Sequence, residues 1–368
     1  MRFLERERAT VAKLLPGLDE SLRAIPLMEL EDPSGPGIDL FRNSGGPGLL
    51  VPAAYQGREA TALDALRVQR ALGSRSPSLA VAAAMHHFSV ATMIGLRTDE
   101  GLESMFVEGV ASSNRLAAFG FAEERPDAGV LSPSMTATQG SDVVRISGAT
   151  RARGLARSMD LLVTGVTVPR LDGPGQEAAV VVVPAESEGL SISSEGSEHE
   201  QVTFDNVEVS PELLVRASAL DGKLDVALRA GFAWFQLLTT GSYLGAASAL
   251  VERALLDDRV PDSERVRLLV ETEGAMAAAE GLARRIDDGG PDESTLADAL
   301  YVRYSVQDAL SRVVPRAVEL IGDLDSITSD EVGHLATCVN GLALHPPARF
   351  RMTGPLAAYL ADRTLTIA

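Results

Sequence analysis

The spacing of apolar positions changes twice along this chain. From Leu4 to Ile25 they recur at mostly three- and four-residue intervals, through Val11, Leu14, Leu15, Leu18 and Leu22. That spacing predicts an amphipathic helix, or two helices broken at Pro16. The Pro/Gly-rich stretch that follows, with Asp32-Pro33, Gly35-Pro36 and Gly45-Gly46-Pro47-Gly48, reads as loop and turn. Helical spacing resumes over 59–73, 78–96 and 99–112, and the second of these, SLAVAAAMHHFSVATMIGL, is apolar nearly all round. A helix of that kind is usually buried. From Ala117 the period falls towards two, predicting strands at 117–121, 134–138, 142–147, 159–168, 178–183, 190–193 and 200–204, with a turn at Asp205-Asn206. After Leu220 helical spacing returns over 221–258, 262–287, 293–321 and 328–344. Four helices with short joins suggest an antiparallel bundle. The expected division is an N-terminal helical domain (1–115), a central β domain (116–218) and a C-terminal helical bundle (219–368).

Composition narrows the function. The chain has 368 residues, enough for two or three structural units, and a formal charge of -18 from 33 bases and 51 acids. Such a balance argues against general binding to nucleic-acid backbones. Lys13 and Lys223 are the only lysines, so almost every cation is an arginine. Cys338 is alone, which rules out an intrachain disulfide and a multi-cysteine metal site, and a small buried hydrophobe is its default role. MRFLERERAT lacks the apolar core of a secretory signal, and apart from 78–96 every apolar run is broken short of membrane-spanning length. A cytoplasmic protein with no membrane contact is expected.

Few residues stand out for chemistry. His86 and His87 read as a helical pair hydrogen-bonded at a domain junction; their helix holds no Asp, Glu or Cys to complete a metal site, and none is expected. His345 follows an apolar helix and precedes Pro346-Pro347, which stops the helix and fixes the side chain near its end. With an ordinary pKa of about 6.5 it suits a general base, or else a cap on helix carbonyls. The hydroxyls of Ser132, Ser134, Thr136 and Ser158 lie where a loop donates to a cofactor or carbonyl, or simply to its own turn. Gly241, Gly245, Ala246 and Ala247 permit close helix approach. Neither a G-x-G-x-x-G motif nor a Walker P-loop is present.

Several strings, taken in order over almost the full length, resemble the acyl-CoA dehydrogenase family. Pro52-Ala53-Ala54-Tyr55-Gln56-Gly57 is similar to its P-x-x-Y-G-G turn, and Ser76-Pro77-Ser78-Leu79 to a helix opening. Phe121-Ala122-Glu123 stands where the family has its threonine-Glu-Pro signature, with Glu124 in place of the proline. Ile146-Ser147-Gly148-Ala149-Thr150-Arg151 resembles a strand, an N-G-x-K turn and a strand. Phe204 to Ser210 resembles the family's fDdVrVP segment. Gly154 to Asp160 and His345 to Arg349 look closer to divergent biosynthetic members. The resemblance implies an acyl-CoA dehydrogenase-like fold with a β-barrel-like central domain and a four-helix bundle, binding FAD at the interface of the two. It implies an acyl-CoA, carrier-protein thioester or related small molecule as substrate, and a homo-oligomer or a hetero-oligomer with a homologue. On this reading Glu123 is inherited from a flavin-side motif, and Ser132, Ser134, Thr136, Ser158, Arg259 and Gly322 contact the cofactor. Arg151, Arg153 and Arg157 would meet a carrier or CoA phosphate, or line a solvated edge.

Three features depart from the family. His345 stands near the place of the catalytic glutamate, and the alternative base position, in the first bundle helix, offers Trp234 and Phe235, with nothing acidic between Asp225 and Glu252. The R-x-x-F-G string survives only as Arg259, followed by Val260-Pro261-Asp262. Of the GG-x-G turn only Gly322 remains, beside Asp323 and Asp325. Two readings therefore stay open. One is a flavin-dependent oxidoreductase, including a monooxygenase that needs no dehydrogenase base. The other is a homologue without flavin redox chemistry, acting as a partner subunit or a non-redox enzyme.

Overall fold

The computed structural model describes residues 2–96, 101–120, 133, 135–140, 142–152, 154–194, 200–220, 223–290, 292–322 and 330–367. The N-terminal part holds α1 (Glu5–Leu14), α2 (Leu18–Arg23), α3 (Leu27–Leu30), α4 (Gly37–Asn43), α5 (Ala62–Arg75), α6 (Pro77–Leu96) and α7 (Leu102–Ser113). The break at Pro16 is real: Gly17, at φ +83°, separates α1 from α2. The Pro/Gly-rich stretch contains more helix than its composition predicts, because α3 and α4 are short and held by packing of Leu27, Leu30 and Phe41. α6 is long and apolar enough to cross a membrane, but 78% of its most apolar window is buried inside the fold.

The middle of the chain forms a mixed sheet of eight strands: β1 (Ala117–Gly120), β2 (Met135–Gln139), β3 (Val144–Arg151), β4 (Leu161–Pro169), β5 (Gln176–Pro184), β6 (Leu190–Ser194), β7 (Glu200–Val209) and β8 (Leu214–Arg216). The order is β6-β7-β3-β2-β4-β5-β8, with β1 added in parallel to the first half of β4. β4 and β5, apolar and β-branched, pair antiparallel from Leu161–Pro184 to Pro169–Gln176 and form its buried centre. The expected turns at Gly148 and at Asp205-Asn206 do not reverse the chain. β3 and β7 run on past both points as one antiparallel pair whose register shifts between Ile146 and Gly148. Gly148 (φ +131°) and Asn206 (φ +52°) take left-handed conformations there, so residues that resemble turn formers build a bulge.

Four long or medium helices follow: α8 (Lys223–Leu256), α9 (Asp262–Gly289), α10 (Glu293–Ile321) and α11 (Asp330–Val339). The expected helix over 328–344 is shorter than its pattern. It gives way at Asn340-Gly341 to a 3-10 turn (Asn340–Leu344), and a further helix, α12 (Arg349–Tyr359), was not anticipated. α8 packs on α5, α6, α9 and α10 alike. Its glycines do what their spacing suggests: a Cβ on Gly245 would lie 2.3 Å from the Arg70 carbonyl, and one on Gly73 of α5 2.1 Å from that of Ser242. α5 and α8 thus cross at backbone distance. Asp287 near the end of α9 ties the start of α5, accepting from the N–H groups of Ala62 (2.6 Å) and Leu63 (3.2 Å).

Candidate active site

His345 lies between the 3-10 turn Asn340–Leu344 and the cis bond Pro346–Pro347. It is buried, and its Nε2 sits 2.7 Å from the Tyr243 hydroxyl on α8. Tyr243 reaches it only because residue 341 is glycine: a Cβ there would come within 2.6 Å of the phenolic oxygen. The imidazole also stands edge-on to Phe235, with ring centroids 5.8 Å apart. It is therefore a side chain of the bundle interior rather than an exposed helix cap.

Arg303 of α10 holds this turn in place. Its guanidinium, fully buried, donates to the carbonyls of Leu342 (2.8 Å), Pro346 (2.9 Å) and His345, and to Gln236 Oε1 (2.6 Å). Gln236 in turn donates to the Pro346 carbonyl at 3.2 Å, and the Tyr304 hydroxyl to that of Pro347 at 3.2 Å. Among the described residues no carboxylate pairs with Arg303, and its Nε lacks a partner. Burial pulls its pKa down to about 10, which still leaves it charged at neutral pH. The wall beside His345 thus carries an uncompensated cation.

An aromatic run connects this corner to the sheet. Phe235 faces Phe88 of α6 at 5.4 Å, Phe88 faces Phe119 of β1 at 4.3 Å, and Phe232 stacks on Phe235 at 5.4 Å. α6 and α8 meet closely here, since a Cβ on Gly231 would lie 1.9 Å from the Thr92 hydroxyl. β1 is fixed by His86, whose Nδ1 accepts from the Ala117 N–H (2.9 Å) while its Nε2 donates to the Pro47 carbonyl (2.8 Å). That pairing is the neutral imidazole, and burial pushes its pKa down to about 4. His87 departs from the expected hydrogen-bonded pair. It is fully buried against Phe41 with both ring nitrogens unpartnered, and burial followed by the neighbouring His86 drives its pKa well below the ordinary value.

The other residues singled out do not gather at His345. Glu123, Ser132 and Ser134 lie outside the described residues, as does Arg153. Thr136 is exposed on β2 opposite Thr167, near the far end of β4, whereas Ser158 precedes the start of β4. The Ser158 carbonyl accepts from Arg42 (3.0 Å), which also grips Asp160 (2.6 Å). Arg259 sits in the α8–α9 join, clasped by Asp257 through its Nε (3.0 Å) and a terminal nitrogen (2.7 Å). The clasp holds the Asp257 carboxyl down at about 2. Gly322 is the residue that ends α10.

These surroundings suit one half of a flavin better than the other. At the junction of β1, α6 and α8 the phenylalanines pack on one another as an apolar wall of the kind an isoalloxazine lies against. At Gly120 a Cβ would meet the Thr150 and Thr164 hydroxyls, each at 2.7 Å, so two buried hydroxyls crowd the end of β1. A pyrophosphate at Arg259 would instead have to compete with Asp257, with Asp258 and Asp262 nearby. Tyr243, Gln236 and Arg303 were not singled out in the sequence. The available signal was Arg303 itself, an arginine in register with the apolar stripe Leu296, Leu300 and Leu310 of α10.

No family model matches the chain. It is 39% identical, over 382 aligned positions covering all of both chains, to an isobutylamine N-hydroxylase of Streptomyces viridifaciens. Among solved structures, it superposes on FMN-bound TdsC of Paenibacillus sp. A11-2 with a TM-score of 0.77 and 17% identity, covering 100% of this chain and 99% of that one. A glutaryl-coenzyme A dehydrogenase in complex with glutaryl-CoA gives the same TM-score at 20% identity, covering 99% and 95%. The prolyl acyl carrier protein oxidase AnaB also scores 0.77, at 16% identity, covering 96% and 98%.

Proposed function

The chain belongs to the acyl-CoA dehydrogenase family, and from that premise we propose that it is a flavin-dependent monooxygenase that hydroxylates the nitrogen of a small primary amine. The observation that carries the reading is the full-length similarity to an amine N-hydroxylase. The absence of an acid from the stretch of α8 between Asp225 and Glu252, and the histidine in place of the glutamate, support it from the side of the chemistry. Taking an α-proton from an acyl thioester calls for a base opposite the flavin, whereas oxygen transfer to nitrogen calls for a free amine lone pair.

The reaction is R–NH2 + O2 + reduced flavin giving R–NHOH + H2O + oxidised flavin. Flavin, when bound and reduced, supplies the two electrons that let O2 deliver one oxygen to nitrogen and the other to water. The chain's residues do the rest. Phe88, Phe119, Phe232 and Phe235 exclude water and accept a short alkyl group. The uncompensated charge of Arg303 disfavours a second cation nearby, which keeps the amine in its neutral, nucleophilic form. The His345 imidazole, held by the Tyr243 hydroxyl 2.7 Å from its Nε2, takes the proton that the nitrogen gives up and passes it to the oxygen that leaves as water.

A second reading has one observation in its favour. Because Asp257 clasps Arg259, the pyrophosphate donors of FAD would come from a neighbouring subunit, a second copy or a homologue. One experiment addresses both. Purified protein is assayed for bound flavin and for uptake of FAD and FMN. It is then given O2, chemically or enzymatically reduced flavin, and either short primary amines or acyl-CoA. Formation of a hydroxylamine one oxygen heavier than the amine is expected, with no enoyl-CoA. Acyl-CoA oxidation without amine hydroxylation overturns the first reading; flavin uptake only after co-expression with a homologue establishes the second.

A further inference from the structure

We propose that Glu31, His334 and Cys338 form a zinc site that fastens the helix leading to His345 onto the N-terminal helices. The three come from two elements that pack together, the end of α3 and one face of α11. His334 and Cys338 are four residues apart on α11, so both point to the same side. His334 Nε2 lies 2.7 Å from Glu31 Oε2 and 3.3 Å from Cys338 Sγ, and the three ligand atoms all fall within 4.8 Å of one another. No metal site is expected from the sequence because Glu31 is 303 residues away from His334 and only the fold unites them.

The Glu31 carboxylate is a second, independent observation. Its side chain is 1% exposed, yet among the described residues no arginine or lysine pairs with it. It accepts instead from the Ser76 hydroxyl (2.5 Å) and from the Ser78 hydroxyl (2.7 Å) and N–H (3.2 Å). A buried carboxylate needs a compensating cation; the Ser76 and Ser78 donors orient this one without supplying it, and the basic group recorded beside it is the His334 imidazole at 2.7 Å. Carboxylate oxygen, imidazole nitrogen and thiolate are a ligand set that zinc accepts. With bonds of about 2.0 Å to oxygen and nitrogen and about 2.3 Å to sulfur, a tetrahedral ion sets O and N about 3.3 Å apart and N and S about 3.6 Å apart. The O–N and N–S pairs therefore need to open by about 0.6 and about 0.3 Å, and the O–S pair, within 4.8 Å, to settle at about 3.6 Å. The His334 side chain is 28% exposed, which gives an entry path and a fourth position for water.

Binding replaces the S–H bond of Cys338 by a zinc–thiolate bond and releases the proton to solvent. The site is independent of the amine-hydroxylase reading, and its test does not use turnover.

Full-length protein stripped with a chelator is titrated with Co2+, then with Zn2+. One Co2+ per chain is expected, with tetrahedral visible bands to the red of flavin absorption and a thiolate charge-transfer band; Zn2+ should displace it. Because Cys338 is the only thiol, Zn2+ should also protect the chain from alkylation. Cys338→Ser and His334→Gln should each weaken zinc binding at least about tenfold, and Cys338→Ser should abolish the charge-transfer band. Metal-free melting temperatures of the two variants, compared with that of the stripped parent, separate lost ligation from lost fold. No cobalt–thiolate band, no protection of the thiol, or unchanged zinc affinity in both variants overturns the proposal.

Discussion

Arg70 and Arg303 are both fully buried, and they are held in opposite ways. Arg70, on α5, donates to the carboxylates of Glu7 (2.9 Å) and Glu273 (2.6 Å) and to the Ser248 hydroxyl (3.1 Å), and lies 5.2 Å over the ring of Phe3. Among the described residues Arg303 donates to carbonyls and one amide and lies 5.8 Å from the centroid of the Tyr304 ring. The first arrangement cancels charge and ties α1, α5, α8 and α9 together. The second fixes a backbone turn and leaves a positive field next to His345 and Tyr243. Equal burial thus serves structure in one place and a reaction environment in the other.

The contrast can be broken by removing each guanidinium. Arg70→Met strands the buried carboxylate of Glu7 and should cost about 3–5 kcal/mol in urea unfolding at pH 7. The loss should be largely restored in Glu7→Gln/Arg70→Met. A second titration probes the buried histidines. His86 has a folded pKa of about 4 and an ordinary one of 6.5, so between those values the unfolded chain binds a proton that the folded chain refuses. Stability is therefore full above about pH 6.5 and should fall by roughly 3 kcal/mol as pH drops to 4, with His87 adding to the slope. His86→Gln combined with His87→Leu should flatten that slope in denaturant titrations across the range. Arg303→Met orphans several carbonyls, a loss of about 2–3 kcal/mol. Amine turnover should fall further than this loss of stability explains. Smallest is Tyr243→Phe, about 1 kcal/mol in stability. Its sharper readout is amine turnover, which should fall further than stability explains when His345 loses its hydroxyl partner.

Much of the architecture was legible because long elements carry their own period. α6, α8, α9 and α10, and the strands β4 and β5, announce themselves by spacing alone. Elements that depend on distant partners did not: α3 and α4 hide among prolines and glycines, β8 is three residues paired to β5, and the bulge at Gly148 looks like a turn until β7 lies beside it. The same division holds at the site. His345 could be picked out because two prolines follow it. Tyr243 lies 102 residues before it and Arg303 42 residues before, so only helix packing shows that they meet. His86 and His87 were equivalent neighbours in sequence, and only the carbonyl of Pro47 and the N–H of Ala117 distinguish the satisfied ring from the orphaned one.

α8 belongs to two hydrophobic cores at once. Phe232, Phe235 and Leu238 pack in the one shared with the sheet and α6, Leu237, Leu244 and Leu250 in that of the bundle, and Trp234 touches both. During synthesis, α6 leaves the ribosome long before the helix that covers it. Its apolar surface must then wait, exposed or shielded by a chaperone, until α8 emerges. Chains cut short anywhere between Leu96 and Lys223 should accumulate as aggregates rather than as a folded N-terminal fragment.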